Sequence, residues 1–270
     1  MILFSSRARS YVCSALVFSI LILPGWAAAE LPAYNPKIPT SFDGLMQSYQ
    51  APGVGAFDIY VTGPAEAKAA IVMIHEWWGL NPHIKGLADQ LGRLGYRAYA
   101  VDLYDGKLTD DPDKAAMYMK MNNATHSIVK LKTAIAAAHE KHGKVATIGW
   151  CFGGGWSLKA SLAQPDIVEA TVIYYGALNP DPDQLKKLRG PVLGIFATQD
   201  RWISPAHVTA FEKGLKAAGI THTLKSYDAD HAFANPSGDK FQLEKAQDAW
   251  RITLEFLSDT LSSRQRENGK

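Results

Sequence analysis

Val145-Ala146-Thr147-Ile148-Gly149-Trp150-Cys151-Phe152-Gly153-Gly154-Gly155 is the stretch whose reading decides the fold. An apolar run rich in β-branched residues ends at Gly149, Cys151 follows after one intervening residue, and a glycine cluster opens the next segment. This is the G-x-nucleophile-x-G pattern of a sharp strand-to-helix turn, with Cys where Ser more often stands. Such a turn holds its central residue in a strained conformation. Glycine on either side lets neighbouring backbone pass without a Cβ clash. The turn lifts the sulfur above a sheet and leaves the next backbone N–H free to hold an oxyanion. A buried, inert cysteine at a strand end is the competing reading of an isolated thiol; the surrounding glycines favour the turn.

Outward from this stretch the chain alternates strand and helix patterns. Upstream, Ala69 to His75 is a continuous apolar run, as in a strand covered on both faces. Asn81-Pro82 caps a helix running to about Leu94, and Tyr96 to Tyr104 is the next strand. Asp111-Pro112 opens an interrupted helix that continues to about His139; Lys144 to Trp150 is the strand feeding the turn and Phe152 to Ala163 its helix. Downstream, Ala170–Tyr175, Val192–Thr198 and Thr221–Tyr227 read as strands. Ser204-Pro205 starts a helix ending near Gly219, and Phe241–Leu261 is a last amphipathic helix. The pattern predicts one α/β domain, a mostly parallel sheet with helices on both faces. That domain covers residues 55–263, after an irregular, Pro-containing lead-in over 30–54 that brings the chain to a first pair of edge strands, and before a polar tail over 264–270.

In such a sheet function gathers at the carboxyl ends of the strands. Glu76-Trp77, Tyr104, Cys151-Phe152, Thr198-Gln199-Asp200 and Asp228-Ala229-Asp230-His231 stand at those ends. A nucleophile, a carboxylate and a histidine therefore occur in the order Cys151, Asp200, His231, which is the α/β-hydrolase order. Cys151 is the candidate nucleophile, its thiolate favoured by a helix N-terminus. His231 is the candidate base and Asp200 the residue that orients it. Asp228 and Asp230 are rivals to Asp200, but stand too close to His231 in sequence to reach its far nitrogen. The N–H groups of Phe152 and Trp77 are the candidate oxyanion donors. The Trp77-Trp78 pair reads equally as core packing. Glu76 is a carboxylate placed directly after a buried strand, costly unless paired or facing a cleft. Trp78, Tyr104, Trp202 and Phe233 are the candidate lining of an aromatic substrate pocket.

Composition narrows the classes. The 270 residues carry a net charge of +2 and 47% hydrophobic content, enough for one sizeable core. No basic stripe with interleaved aromatics points to nucleic acid. At the N-terminus, Arg7 and Arg9 precede an apolar stretch from Tyr11 to Leu23 and an Ala-x-Ala site ending at Ala29. This is the pattern of a signal peptide over residues 1–29, cleaved near Ala29, which predicts a periplasmic or secreted protein with no stable membrane association; an anchor kept uncleaved is the weaker alternative. Of the two cysteines, Cys13 lies in that segment, so only Cys151 remains after cleavage and no internal disulfide can form. The same count argues against a thiol redox protein, which needs a resolving partner. A monomer is favoured.

Glu76-Trp77-Trp78-Gly79, Asp102-Leu103-Tyr104, Gly149-Trp150-Cys151-Phe152-Gly153-Gly154, Asp200 and His231-Ala232-Phe233 together resemble the dienelactone hydrolase family, over nearly the whole chain beyond Gly55. The resemblance implies an α/β-hydrolase fold and a Cys151-Asp200-His231 triad. It also implies that Glu76 sits against the thiol and helps activate it when substrate binds. No metal or organic cofactor is implied. The implied reaction opens a small ester or enol-lactone by acyl transfer to Cys151, followed by thioester hydrolysis. Family members acting on dienelactone carry two arginines for the substrate carboxylate, a bidentate task. Here the corresponding stretches are Asp105-Gly106-Lys107 and Ala234-Asn235, which leaves Lys107 and Arg201 as the nearby cations. A non-catalytic small-molecule-binding protein on the same fold is the alternative; an intact Cys, Asp and His at the strand ends weighs against it.

Overall fold

The structure, a computed structural model, describes residues 34–262. The signal segment expected over residues 1–29 and the tail over 264–270 lie outside the described residues. The chain forms eight strands: β1 (Leu45–Ala51), β2 (Gly55–Thr62), β3 (Ala69–Ile74), β4 (Arg97–Val101), β5 (Lys144–Trp150), β6 (Val168–Tyr174), β7 (Val192–Ala197) and β8 (His222–Tyr227). They make one sheet in the order β1-β2-β4-β3-β5-β6-β7-β8. β1 pairs with β2 and β2 with β4 antiparallel, and every later pairing is parallel. The helices are α1 (Pro82–Arg93), α2 (Pro112–Met121), α3 (Ala124–His142), α4 (Phe152–Ala163), α5 (Pro182–Leu185), α6 (Pro205–Ala217) and α7 (Leu243–Leu261). Among the described residues no helix is long and apolar enough to cross a membrane.

Why the middle strands lack polar alternation is visible in β3. Ile71 and Met73 pack into a cluster with Ile84 and Leu87 of α1 and Trp250 and Leu254 of α7. Their neighbours Val72 and Ile74 pack on the opposite face with Leu131 and Ile135 of α3. Both faces are covered, so both must be apolar. A third cluster joins α4 to α6 through Leu158, Ile173, Phe196 and Phe211.

Three differences from the sequence reading have local causes. The lead-in over 30–54 is not wholly irregular, because Leu45–Ala51 pairs residue for residue with β2 as an edge strand. Leu45 and Met46, on opposite faces, are both exposed, so the strand has no core-facing periodicity to read. β4 stops at Val101 rather than Tyr104, because the Asp102 carboxylate accepts the N–H groups of Tyr104 (2.8 Å) and Gly106 (2.6 Å) and turns the chain. The four-residue α5, capped by Asp181, carries too little pattern to be seen in sequence.

The turn at Cys151 is held from two sides. From above, backbone lies against backbone: a Cβ on Gly149 would stand 2.0 Å from the Gly153 carbonyl oxygen, and one on Gly153 2.2 Å from that of Ile74 and 2.5 Å from that of His75. From below, a buried hydroxyl cluster joins β5, α4 and β6. Thr147 Oγ1 lies 2.8 Å from both Ser157 Oγ and Ser161 Oγ, Thr171 donates to Ser161 Oγ at 2.8 Å, and Ser157 donates to the Val172 carbonyl at 2.9 Å.

Gly153→Ala separates two opposed effects. Helix propensity alone would stabilise the variant by about 1 kcal/mol. A methyl group forced against backbone oxygens cannot be relieved by a rotamer change, so we expect a loss of at least about 2 kcal/mol in urea denaturation. An unchanged or raised midpoint would contradict the close packing.

Candidate active site

Cys151 occupies the turn between β5 and α4 with φ 53° and ψ −117°, a conformation that L-residues rarely adopt. Its N–H donates to the Tyr174 carbonyl at 3.0 Å, which fixes the turn over the end of the sheet. Strain of this kind costs about 1–3 kcal/mol and persists only where the surroundings enforce it. The glycine contacts just described are that enforcement.

Three strand ends converge on the sulfur. His231, in the loop after β8, places Nε2 3.1 Å from Cys151 Sγ and Nδ1 2.6 Å from Asp200 Oδ2. Asp200, after β7, is 3% exposed, and its Oδ1 accepts the N–H groups of Trp202 (2.8 Å) and Ile203 (2.9 Å). Burial pushes the Asp200 carboxyl up, but its bonds to His231, Ile203 and Trp202 outweigh this and hold it below the usual carboxylate range. The rival aspartates are engaged elsewhere. Asp230 accepts the backbone N–H of His231 and pairs with Lys240, and Asp228 accepts from Gln199 at 2.8 Å.

The electrostatics of the thiol are unfavourable to ionisation. Burial, then the nearby charge of Glu76, push Cys151 up to about 12; the N–H of Phe152 pulls it back, Asp200 adds to the rise, and the N–H of Trp77 again opposes it. The two N–H groups expected as oxyanion donors thus both face the sulfur. Glu76 itself is 1% exposed, and burial raises its carboxyl to about 7. Its Oε2 accepts a hydrogen bond from Asn235 Nδ2, and the Tyr175 hydroxyl donates to Oε1 at 3.5 Å. The hydrogen bonds of Glu76 therefore go to neutral groups beside the thiol.

Of the expected pocket residues, Trp202 is 68% exposed and sets its edge against the His231 ring at 4.9 Å. Trp77 and Trp78 are half-buried and pack edge to face at 4.8 Å. Tyr104 is buried against His75 and Phe152. Phe233 does not line a pocket. It is fully buried, packed on Tyr175 and Tyr227, because the loop after His231 turns inward at Ala232 (φ 61°) and carries the next side chain into the core. Lys107 and Arg201 are exposed.

The sequence reading missed Tyr175, Asn235 and His75 as parts of the site. Tyr175 follows β6 with φ 35°, and its ring lies 5.1 Å from that of His231. A strand-end position was its only signal. Asn235 stands where the resemblance placed an arginine. His75 is buried and neutral: burial lowers its pKa, Nδ1 bonds the Glu76 carbonyl at 2.5 Å, and Nε2 accepts the Leu103 N–H at 3.2 Å. It ties the end of β3 to the turn after β4. Among the described residues no three His, Cys, Asp or Glu side chains are grouped to hold a metal ion.

The sequence and the fold have counterparts among known proteins. Protein usf of Aquifex pyrophilus is 28% identical over 231 residues, covering 81% of this chain and all of that one. A protein named "Putative carboxymethylenebutenolidase" in Saccharolobus solfataricus is 29% identical over 243 residues, covering 73% of this chain and 92% of that one. A solved structure titled a dienelactone hydrolase-like promiscuous phosphotriesterase, from metagenomic libraries, superposes with a TM-score of 0.69 at 19% identity, covering 81% of this chain and 99% of that one. It shares the α/β-hydrolase fold. Residues 57–261 match the Dienelactone hydrolase family, and the chain belongs to that family of hydrolases.

Proposed function

We propose that this protein hydrolyses a small carboxylic ester or lactone through an acyl-Cys151 intermediate. The observation that carries the proposal is the unbroken line from Asp200 Oδ2 through His231 to Cys151 Sγ, with contacts of 2.6 and 3.1 Å, beside two converging backbone N–H groups. The names of its relatives point to the same bond class. As Sγ attacks the substrate carbonyl carbon, its proton passes to His231 Nε2, and the N–H groups of Phe152 and Trp77 hold the oxygen that becomes negative. Asp200 stabilises the imidazolium. Collapse expels the alkoxide, which takes the proton from His231. Water then attacks the thioester, giving a proton to His231, and collapse returns it to sulfur as the acid leaves. Trp202, exposed beside the His231 ring, favours a flat or apolar group. The N-terminal signal pattern supports action outside the cytoplasm.

A thiol raised to about 12 holds its proton until substrate arrives, so the transfer to His231 belongs to the chemical step. Glu76 in this reading does not ionise the resting thiol. Its negative charge opposes a second one on sulfur, and it tunes reactivity by its own protonation, about 7.

Adduct mass, substitution and thiol alkylation each test this. Quenching during turnover of an activated aryl ester should give a mass increase equal to the acyl group on Cys151. Cys151→Ala should keep the fold and lose turnover, and His231→Ala should lose a factor of about 10²–10⁴; a fully active Cys151→Ala enzyme would refute the nucleophile. In the free enzyme, iodoacetamide alkylation should keep climbing with pH beyond pH 10 instead of levelling near the value of an ordinary thiol, about 8.5. Glu76→Gln removes the repelling charge, lowers the thiol pKa, and should speed alkylation at pH 8 about threefold or more. An unchanged or slower rate would show that Glu76 does not hold the proton on sulfur.

A further inference from the structure

Residues 34–44, ahead of β1, form no helix or strand, yet they are tied down along their length. Chain ends stay loose unless something holds them. Here the Asn35 backbone exchanges two bonds with the Gln90 side chain of α1, at 3.4 and 3.3 Å. A Cβ on Gly86 of the same helix would stand 2.9 Å from the Pro39 ring. Further on, Asp89 Oδ2 accepts the Asp43 N–H at 3.1 Å, and the Tyr60 hydroxyl accepts the Gly44 N–H at 2.6 Å. This strap lies outside residues 57–261, which match the family.

The deep end of the strap is Tyr34. Its side chain is 5% exposed, with the ring against Trp250 at 6.2 Å and Phe241 at 6.5 Å. Burial, then Tyr174 and the charge of Glu76, push its ionisation up, so the phenol keeps its proton. It donates that proton to the Ala234 carbonyl at 3.0 Å.

Ala234 C=O and Asn235 N–H belong to one peptide plane. The second of these is fixed as well, since it donates to the Ala232 carbonyl at 2.9 Å. A planar unit bonded through both its oxygen and its hydrogen has little freedom to rotate, so the direction in which the Asn235 side chain leaves the backbone is set. Asn235 Oδ1 accepts the Ser237 N–H at 2.9 Å, which leaves Nδ2 as the end that meets Glu76 Oε2. Asn235 is buried, as is Glu76, and a donor held on a buried carboxylate favours its ionised form. The other donor to Glu76, the Tyr175 hydroxyl, stands at 3.5 Å, so the aim of Asn235 matters more.

We propose that Tyr34 is a positioning residue for the Cys151 site: it fixes the Ala234–Asn235 peptide, aims Asn235 at Glu76 and so stabilises the Glu76 carboxylate. The consequence for the thiol rests on the reading of Glu76 given above; the path from Tyr34 to Glu76 does not. The groups whose ionisation Glu76 opposes are Cys151 and the phenols of Tyr34 and Tyr175, and burial keeps all three protonated near neutral pH. Uptake of a proton by the Glu76 carboxylate therefore reads the path directly.

Infrared titration of the full chain, taken as a difference against Glu76→Gln, isolates the protonated-carboxyl band of Glu76, whose midpoint is expected at about 7. Tyr34→Phe keeps the ring and removes only the hydroxyl; it should raise the proton affinity of Glu76 about two- to fivefold. Asn235→Leu should raise it about tenfold or more. In the Asn235→Leu background, Tyr34→Phe should add nothing, because the residue through which it acts is gone. A midpoint unmoved by Tyr34→Phe overturns the proposal, whatever happens to the melting temperature. An equal rise in both backgrounds overturns it too. If Glu76→Gln leaves iodoacetamide alkylation of Cys151 unchanged while Tyr34→Phe moves the Glu76 midpoint, the action of Glu76 on the thiol falls and the positioning by Tyr34 stands.

Discussion

The molecule depends on one place where backbone rests on backbone, the seat of Gly153 on the carbonyl oxygens of Ile74 and His75. That contact fixes the first turn of α4 against the end of β3. It therefore brings the residue just before Gly153 and the residue just after Glu76 to the same point in space. The N–H groups of Phe152 and Trp77 converge on Cys151 for this reason and need no side chain to aim them. It also keeps Cys151 in a conformation it would otherwise leave.

Around this rigid point the polar groups fall into two sets with opposite effects. Asp200 is surrounded by donors and stays ionised, so it can support a positive charge on His231. Glu76 is surrounded by a neutral amide, a phenol and protein interior, so its charge is costly and burdens the neighbouring sulfur. Two carboxylates on one thiol–imidazole pair are thus made unlike by their partners alone. A cation in place of Asn235 would erase much of the difference, since an opposite charge favours the ionised carboxylate.

What could be read from the chain alone follows the range of the forces involved. β5 and α4 were legible to the residue, because their bounds are set by glycines and a strand pattern that act locally. Asp200 and His231 could be placed because parallel topology sends strand ends to one edge. Phe233 was misread. An aromatic two residues past a strand-end histidine looks like pocket lining, and only the positive φ of Ala232 turns it into the core. Tyr175 and Asn235 were invisible for a related reason: their role lies in a hydrogen bond to Glu76 from distant parts of the sequence, 99 and 159 residues away. β4 was read too long, since a carboxylate folding back on its own backbone leaves the hydrophobic pattern undisturbed.

The hydroxyl cluster of Thr147, Ser157, Ser161 and Thr171 has an evolutionary meaning that its distances do not announce. Apolar neighbours in a core can drift one at a time, because volume can be made good nearby. A connected set of buried hydroxyls cannot, since losing one strands those that bonded to it. Single replacements here should be punished beyond their size, while paired or fourfold exchange for apolar residues should be tolerated. The floor beneath Cys151 is therefore a place where substitutions become admissible only in company, and their effects should depart from additivity.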